Sequence, residues 1–226
     1  ERRVMSRHYS LSFSIKTEEK ISMKKNEAIK IVNEAARKYE QYLVGKKTLV
    51  LFFKDKKQID SLEVSFMAAN FLHLTGFKIK DDDISPLEFY RLCVEERLSE
   101  KDFSFSPDGT TELKLKVISS VISPNLSAKM IGDFSENTLK LYTQKLVGGT
   151  KACIGFVKDA NGVYYPNTLL NTDIRDLVQK PMRILAVFQR DFNEEKYSIK
   201  TYQAKNIDKS TLSFEEEIEY LKDLLD

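Results

Sequence analysis

Histidine is the scarcest side chain here that can move a proton at neutral pH: the sequence holds only His8 and His73. His73 lies in the run Asn70-Phe71-Leu72-His73-Leu74-Thr75-Gly76. Read as a short helix, this run puts Met67, Phe71 and Leu74 on one face. Asn70 and His73, three positions apart, then share a neighbouring edge, and Thr75 leaves the helix beside them. An imidazole so placed can accept or donate a proton at cellular pH. The same pattern also fits a capping or core histidine bonded to backbone. His8, in a polar arm, reads as incidental.

Phosphate chemistry needs cations and N–H donors. The second half of the chain supplies Lys129, Lys145, Arg175, Arg183 and Arg190, while Tyr142, Tyr164 and Tyr165 offer π-faces on which bases stack. Charges at strand ends also serve as an ordinary solvated face, and Arg175 between Asp173 and Asp176 also reads as a local ion pair.

Other chemistries find little support. Asp81-Asp82-Asp83 lacks the glycine and the spaced ligands of a calcium loop, and no zinc pattern occurs. Gly148-Gly149-Thr150-Lys151 lacks the glycine spacing of a phosphate loop and reads as a hairpin turn. No serine-hydrolase elbow is present. The expectation is a protein with no metal and no cofactor.

The elements that must carry these residues can be read from periodicity and turn chemistry. Residues 25–43 have a helical apolar stripe (Ile29, Val32, Ala36, Tyr39, Leu43) that stops at Gly45. Thr48–Phe53 and Leu62–Phe66 read as a hairpin, and Met67–Leu74 as a short helix capped by Ser65 and stopped by Gly76. Ser85-Pro86-Leu87-Glu88 is a capping-box start for a helix running to about Leu98. Leu113–Ile122 reads as a further helix, broken at Pro124-Asn125.

The second half changes character. Leu139–Thr143, Ala152–Lys158, Val163–Tyr165, Ile184–Gln189 and Tyr197–Lys205 look like strands, with Asn161-Gly162 as the clearest hairpin turn. Asp173–Gln179 reads as a short helix, and Glu215–Leu225 as an acidic terminal helix. The order predicts an α+β fold: N-terminal helices and a hairpin packed on a C-terminal antiparallel meander of four to five strands. The expected division is an arm or vector remnant over 1–24, a main domain over 25–208 and the acidic helix over 209–226. Met5 or Met23 would serve as a native start.

Composition bounds the function. Lysine plus arginine number 36 against 34 acidic residues, a net charge of +2, so any basic surface must come from local clustering. Cys93 and Cys153, each flanked by apolar residues, read as buried free thiols in a reducing compartment. No apolar run approaches the roughly 20 residues that a membrane span needs, and the expected location is the cytoplasm of a bacterial host.

At several of these residues the chain resembles the fourth family of the phage-associated barnase–EndoU–colicin E5/D–RelE-like nuclease group. The similar stretches are Asn70 to Gly76, Ser85 to Tyr90, Ala128 to Asp133, Leu141 to Leu146, Gly155 to Val157, Pro166 to Arg175 and Arg183 to Ala186. Together they span roughly residues 25–206. The resemblance implies leading helices on an antiparallel sheet and a metal-independent endoribonuclease that cleaves RNA, tRNA included. Its attack by the ribose 2′-OH would leave a 2′,3′-cyclic phosphate. With a single well-placed histidine, a mixed site of His, Lys, Arg and Tyr fits better than a two-histidine one. The expected catalytic residues are His73, Lys129, Tyr142 and Arg175; Asn70, Thr75, Lys145, Asn167 and Thr168 would hold substrate. RNA is the expected substrate, and an antitoxin, immunity or host protein the expected partner.

Two other readings stand beside this one. A phage or mobile-element protein could keep the fold and bind a host factor through its arm and acidic helix. His-x-Thr before antiparallel strands also occurs in ADP-ribosyl transfer, although residues 139–190 contain no glutamate to complete that chemistry.

Overall fold

The computed structural model describes residues 23–135 and 142–226. The arm with His8 and most of the Leu139–Thr143 strand expected from the sequence lie outside the described residues. No helix among the described residues is long and apolar enough to cross a membrane.

Helix α1 spans Lys25–Tyr42 and buries Ala28, Val32, Ala35, Ala36 and Tyr39 along the stripe its sequence sets out. The chain turns at Gly45 (φ 77°) into β1 (Lys46–Phe53), which pairs antiparallel with β2 (Ile59–Ser65). Ser65 is therefore the buried end of a strand and caps no helix. The expected Met67–Leu74 helix divides into a 3-10 turn, Ala68–Asn70, and α2, Phe71–Thr75. Asn70 Oδ1 accepts from the Met67 N–H at 3.1 Å, fixing that division, and Gly76 (φ 72°) ends α2 as expected. β3 (Lys78–Ile79) pairs with β4 (Phe103–Ser104). Between them, α3 (Pro86–Val94) starts on the Ser85 cap, whose Oγ accepts from the Glu88 N–H. It stops short of Leu98 because Glu96 takes φ 58° and Arg97 and Leu98 fold back onto the Leu92 carbonyl. Helix α4 spans Thr110–Val121.

The second half supplies β5 (Met130–Asp133), β6 (Lys145–Gly148), β7 (Cys153–Lys158), β8 (Tyr164–Leu170), β9 (Met182–Asp191) and β10 (Ile199–Gln203). Tyr142 and Thr143 precede β6, and Asp173–Gln179 holds only one 3-10 turn, Ile174–Asp176. The fold is α+β with a mostly antiparallel sheet, and the N-terminal hairpin enters that sheet. The order is β1-β2-β8-β7-β6-β5-β9-β10, and β1 also pairs with β9, so the pairings close on themselves. Among the described strands the one parallel pair, β2 with β8, meets at Val64 and Tyr164.

β1 is buried on both faces, which explains its unbroken apolar run. Val50 and Phe52 join the main core with α1, α3 and α4, while Leu49 and Leu51 join a second cluster on the opposite face. That second cluster is covered by Leu212, Leu221 and Leu225 of the C-terminal segment, whose 3-10 helix runs over Glu216–Leu224. Cys93 and Cys153 are buried free thiols, and burial pushes the Cys153 thiol up to about 12.

Candidate active site

A cavity of about 590 Å³ opens between α2, the first turn of α4 and β8. Its geometry begins with packing. The Phe77 ring stacks on Phe103 at 4.0 Å and meets Phe89 edge-on at 6.0 Å, while Phe71 lies against Tyr39 and Tyr90. Such pairs contribute about 0.5–1.5 kcal/mol each beyond area burial, and they lock α2 and the strand after it onto α1 and α3.

The turn after α2 is then clipped to α4. Buried Thr75 donates through Oγ1 to the Leu72 carbonyl at 2.9 Å and accepts from the Phe77 N–H at 3.1 Å. Thr111 Oγ1 donates to the Gly76 carbonyl at 2.7 Å and accepts from the Ser106 N–H at 2.8 Å. A Cβ on Gly76 would stand 3.0 Å from Lys114 Cδ and 3.2 Å from Thr111 Cα, and with φ at 72° glycine makes this approach without strain. As a result, Lys114 Nζ donates to the His73 backbone carbonyl at 2.7 Å.

Across the cavity, β8 presents Asn167 and Thr168. Thr168 stands opposite Gly155 of β7, where a Cβ would come within 2.7 Å of Thr168 Cγ2 and 2.8 Å of Thr143 Cγ2. Asn167 Oδ1 accepts from Thr143 Oγ1 at 3.1 Å, and its Nδ2 donates to the Tyr142 carbonyl. Tyr142 itself is 81% exposed and stands outside the cavity lining.

The electrostatics favour proton transfer. His73 titrates below its ordinary value, first because the cavity wall desolvates it and then because of the Lys114 charge. Its side chain still reaches solvent, so this is the environment of a cleft and not of a sealed interior. Lys114 is lowered to about 8, chiefly by burial and then by Lys78, with Asp108 acting in the opposite direction. Asp108 is held below the usual carboxyl range by hydrogen bonds from the Thr110 N–H and Oγ1. At neutral pH the cavity therefore holds a neutral imidazole, a protonated amine and an ionised carboxylate.

Of the residues expected from sequence, His73, Asn167 and Thr168 line this cavity together; Tyr142 does not, and only its backbone carbonyl meets a lining residue, Asn167. The others lie elsewhere. Lys129 Nζ sits over the Tyr202 ring at 3.9 Å, Lys145 pairs with Asp133 at 2.5 Å, and Arg175 with Asp173 at 2.6 Å. Asn70 and Thr75 shape the backbone around α2. Lys78 and Lys114 were not anticipated. Lys114 had a readable signal: it lies three residues after Thr111 and four before Ile118, both buried, so it borders the apolar stripe of α4. Among the described residues no group of three or more His, Cys, Asp or Glu side chains could hold a metal ion.

No curated protein and no solved structure matches the chain. The family model of the phage-Barnase-EndoU-ColicinE5/D-RelE like nuclease4 group matches residues 31–206, which is most of the chain. With its mixed helices and mostly antiparallel sheet, the protein belongs to this phage-barnase–EndoU–colicin E5/D–RelE-like nuclease family.

Proposed function

We propose that the protein is a metal-independent endoribonuclease that cleaves RNA by 2′-OH transesterification. The single observation that carries this reading is that His73, Lys114, Asn167 and Thr168 line one cleft, in which the Lys114 ammonium is held on the His73 backbone carbonyl. A neutral imidazole accepts the 2′-OH proton, and the freed oxygen attacks the adjacent phosphorus. Lys114 and Lys78 offset charge developing on the phosphoryl oxygens, and the Thr168 hydroxyl and Asn167 amide hold one of them. Cleavage leaves a 2′,3′-cyclic phosphate and a free 5′-hydroxyl. The exposed Tyr142 ring supplies a stacking face for a neighbouring base.

In this reading the substrate, tRNA among others, is met in the cytoplasm of a bacterial host. The protein acts as a toxin-like or mobile-element nuclease, and an antitoxin, immunity or host protein is its counterpart. Residues 25–208 form the nuclease unit, and the acidic segment 209–226 packs on its second apolar cluster.

The test is incubation of the protein with tRNA in EDTA, followed by end-group analysis. Cyclic phosphate ends from the wild type and their loss in His73→Ala support the assignment. Intact RNA, or cleavage unchanged in His73→Ala, overturns it.

A further inference from the structure

The attacking 2′-oxygen and the departing 5′-oxygen stand on opposite sides of phosphorus in an in-line displacement. One imidazole cannot take a proton from the first and protonate the second in the same step, so a second proton carrier is needed. Among the residues lining the cavity the candidates are few. Asp108 is ionised and engaged by Thr110, and no tyrosine or cysteine lines the wall. Lys78 is exposed, with solvent competing for its protons.

Lys114 differs on each count. It projects from α4, is half-buried, and is fixed at 2.7 Å on the carbonyl of the residue that bears the base. An ammonium has three N–H bonds, so one can hold the His73 carbonyl while others remain for substrate.

We infer that Lys114 is the general acid of the reaction, giving a proton from Nζ to the 5′-oxygen as its bond to phosphorus breaks. This rests on the ribonuclease reading above. The step balances: the 2′-OH proton passes to His73, the 2′-oxygen bonds to phosphorus, the P–O5′ bond breaks, and the Nζ proton ends on the 5′-hydroxyl. Lys114 is left neutral and His73 charged. The groups facing Lys114 are His73 from α2, Lys78 from β3 and Asp108 from the loop before α4. Burial, and after it the Lys78 charge, make the ammonium a better donor than a free lysine, with Asp108 opposing them.

The test compares two RNA oligonucleotides, one natural and one with sulfur replacing the bridging 5′-oxygen at the scissile phosphate. A thiolate leaves without protonation, so the sulfur substrate needs no acid. Lys114→Gln is expected to lose about 10²–10⁴-fold on the oxygen substrate and to recover most of that loss on the sulfur substrate. His73→Ala recovers none. Lys114→Arg, which keeps the charge but gives up its proton poorly, should lose activity on oxygen and abolish the alkaline limb of the pH–rate curve. It decides the matter if Lys114→Gln melts early.

Equal loss on both substrates, or no loss in either variant, overturns the assignment and leaves the ribonuclease reading standing. A wild type that cleaves neither substrate removes both.

Discussion

Gly76 and Thr111 touch across the gap between α2 and α4: the Thr111 hydroxyl donates to the Gly76 carbonyl at 2.7 Å, and a Cβ on Gly76 would stand 3.2 Å from Thr111 Cα. Gly76 also has φ 72°, a conformation that costs an ordinary L-residue roughly 1–2 kcal/mol. Gly76→Ala is therefore expected to lower stability by about that amount or more, read as a shift of the urea midpoint. Because the same contact sets Lys114 on the His73 carbonyl, cleavage measured where Gly76→Ala is still folded should fall by at least tenfold. A variant as stable and as active as wild type would show that the clip does not position the site.

The two groups at the centre of the cavity predict the pH dependence of kcat/KM. His73 must be neutral to accept a proton and titrates below its usual value, so the acid limb falls below pH 6.5. Lys114 must be protonated to donate and titrates at about 8, so the rate falls again above that pH. A bell with its acid limb below pH 6.5 and its alkaline limb near pH 8 is expected from initial rates on a short oligonucleotide. A rate that keeps rising to pH 10 would remove the ammonium from the mechanism.

How much of this was legible in the sequence differs by element, for physical reasons. Local signals read correctly: the stripe of α1, the Ser85 cap and the Asn161-Gly162 turn, where Gly162 takes φ 87°, are each set by residues within a few positions. Ser65 misled because a serine before an apolar run satisfies the capping rule equally well from a strand end. The closure of β1 onto β9 was invisible, since residues about 140 positions apart pair there, Lys46 with Asp191 for example. His73, Asn167 and Thr168 could be nominated, but their shared cavity depends on the packing of α2 and α4 on β8 and on the Gly76–Thr111 clip. The position of Lys114 beside the apolar stripe of α4 is legible, but its place on the His73 carbonyl depends on how α2 packs against α4, which no local pattern sets.

Glu63 is the centre of a charged network away from the cavity. Lys47 bonds its Oε1 at 2.8 Å, the Tyr197 hydroxyl donates to Oε2, and Arg190 stands 3.7 Å away with its guanidinium over the Tyr197 ring. Burial raises the Glu63 carboxyl, but the hydrogen bonds from Lys47 and Tyr197 and the charges of Lys47 and Arg190 outweigh it, leaving it below the usual range. A depressed carboxyl stabilises the fold above its unfolded value, about 4.3, and that stabilisation is lost as pH falls through the folded value. Glu63→Gln should cost about 1–2 kcal/mol at pH 7, moderated by partial exposure, and progressively less as pH falls below the unfolded value, by thermal melts over the acid range. Cleavage at pH 7 should persist in this variant. Its disappearance in a folded protein would move the active centre to this face of the sheet.

The C-terminal segment also bears on stability. Leu221 is fully buried and, with Leu212 and Leu225, covers Leu49, Leu51, Leu185 and Phe188 on the face of the sheet away from α1. Further bonds tie the segment down: the Tyr197 N–H donates to the Tyr220 hydroxyl at 2.9 Å, and Lys200 donates to the Leu224 carbonyl at 2.7 Å. Without it, four large apolar side chains on β1 and β9 would meet water. Leu221→Ala should therefore destabilise the protein by about 2–5 kcal/mol, and removal of residues 209–226 should cost more and expose surface that binds an apolar dye. If instead the shortened protein melts with the wild type and cleaves RNA normally, the acidic segment is a separable appendage, and its packing on the second cluster contributes nothing to holding the sheet.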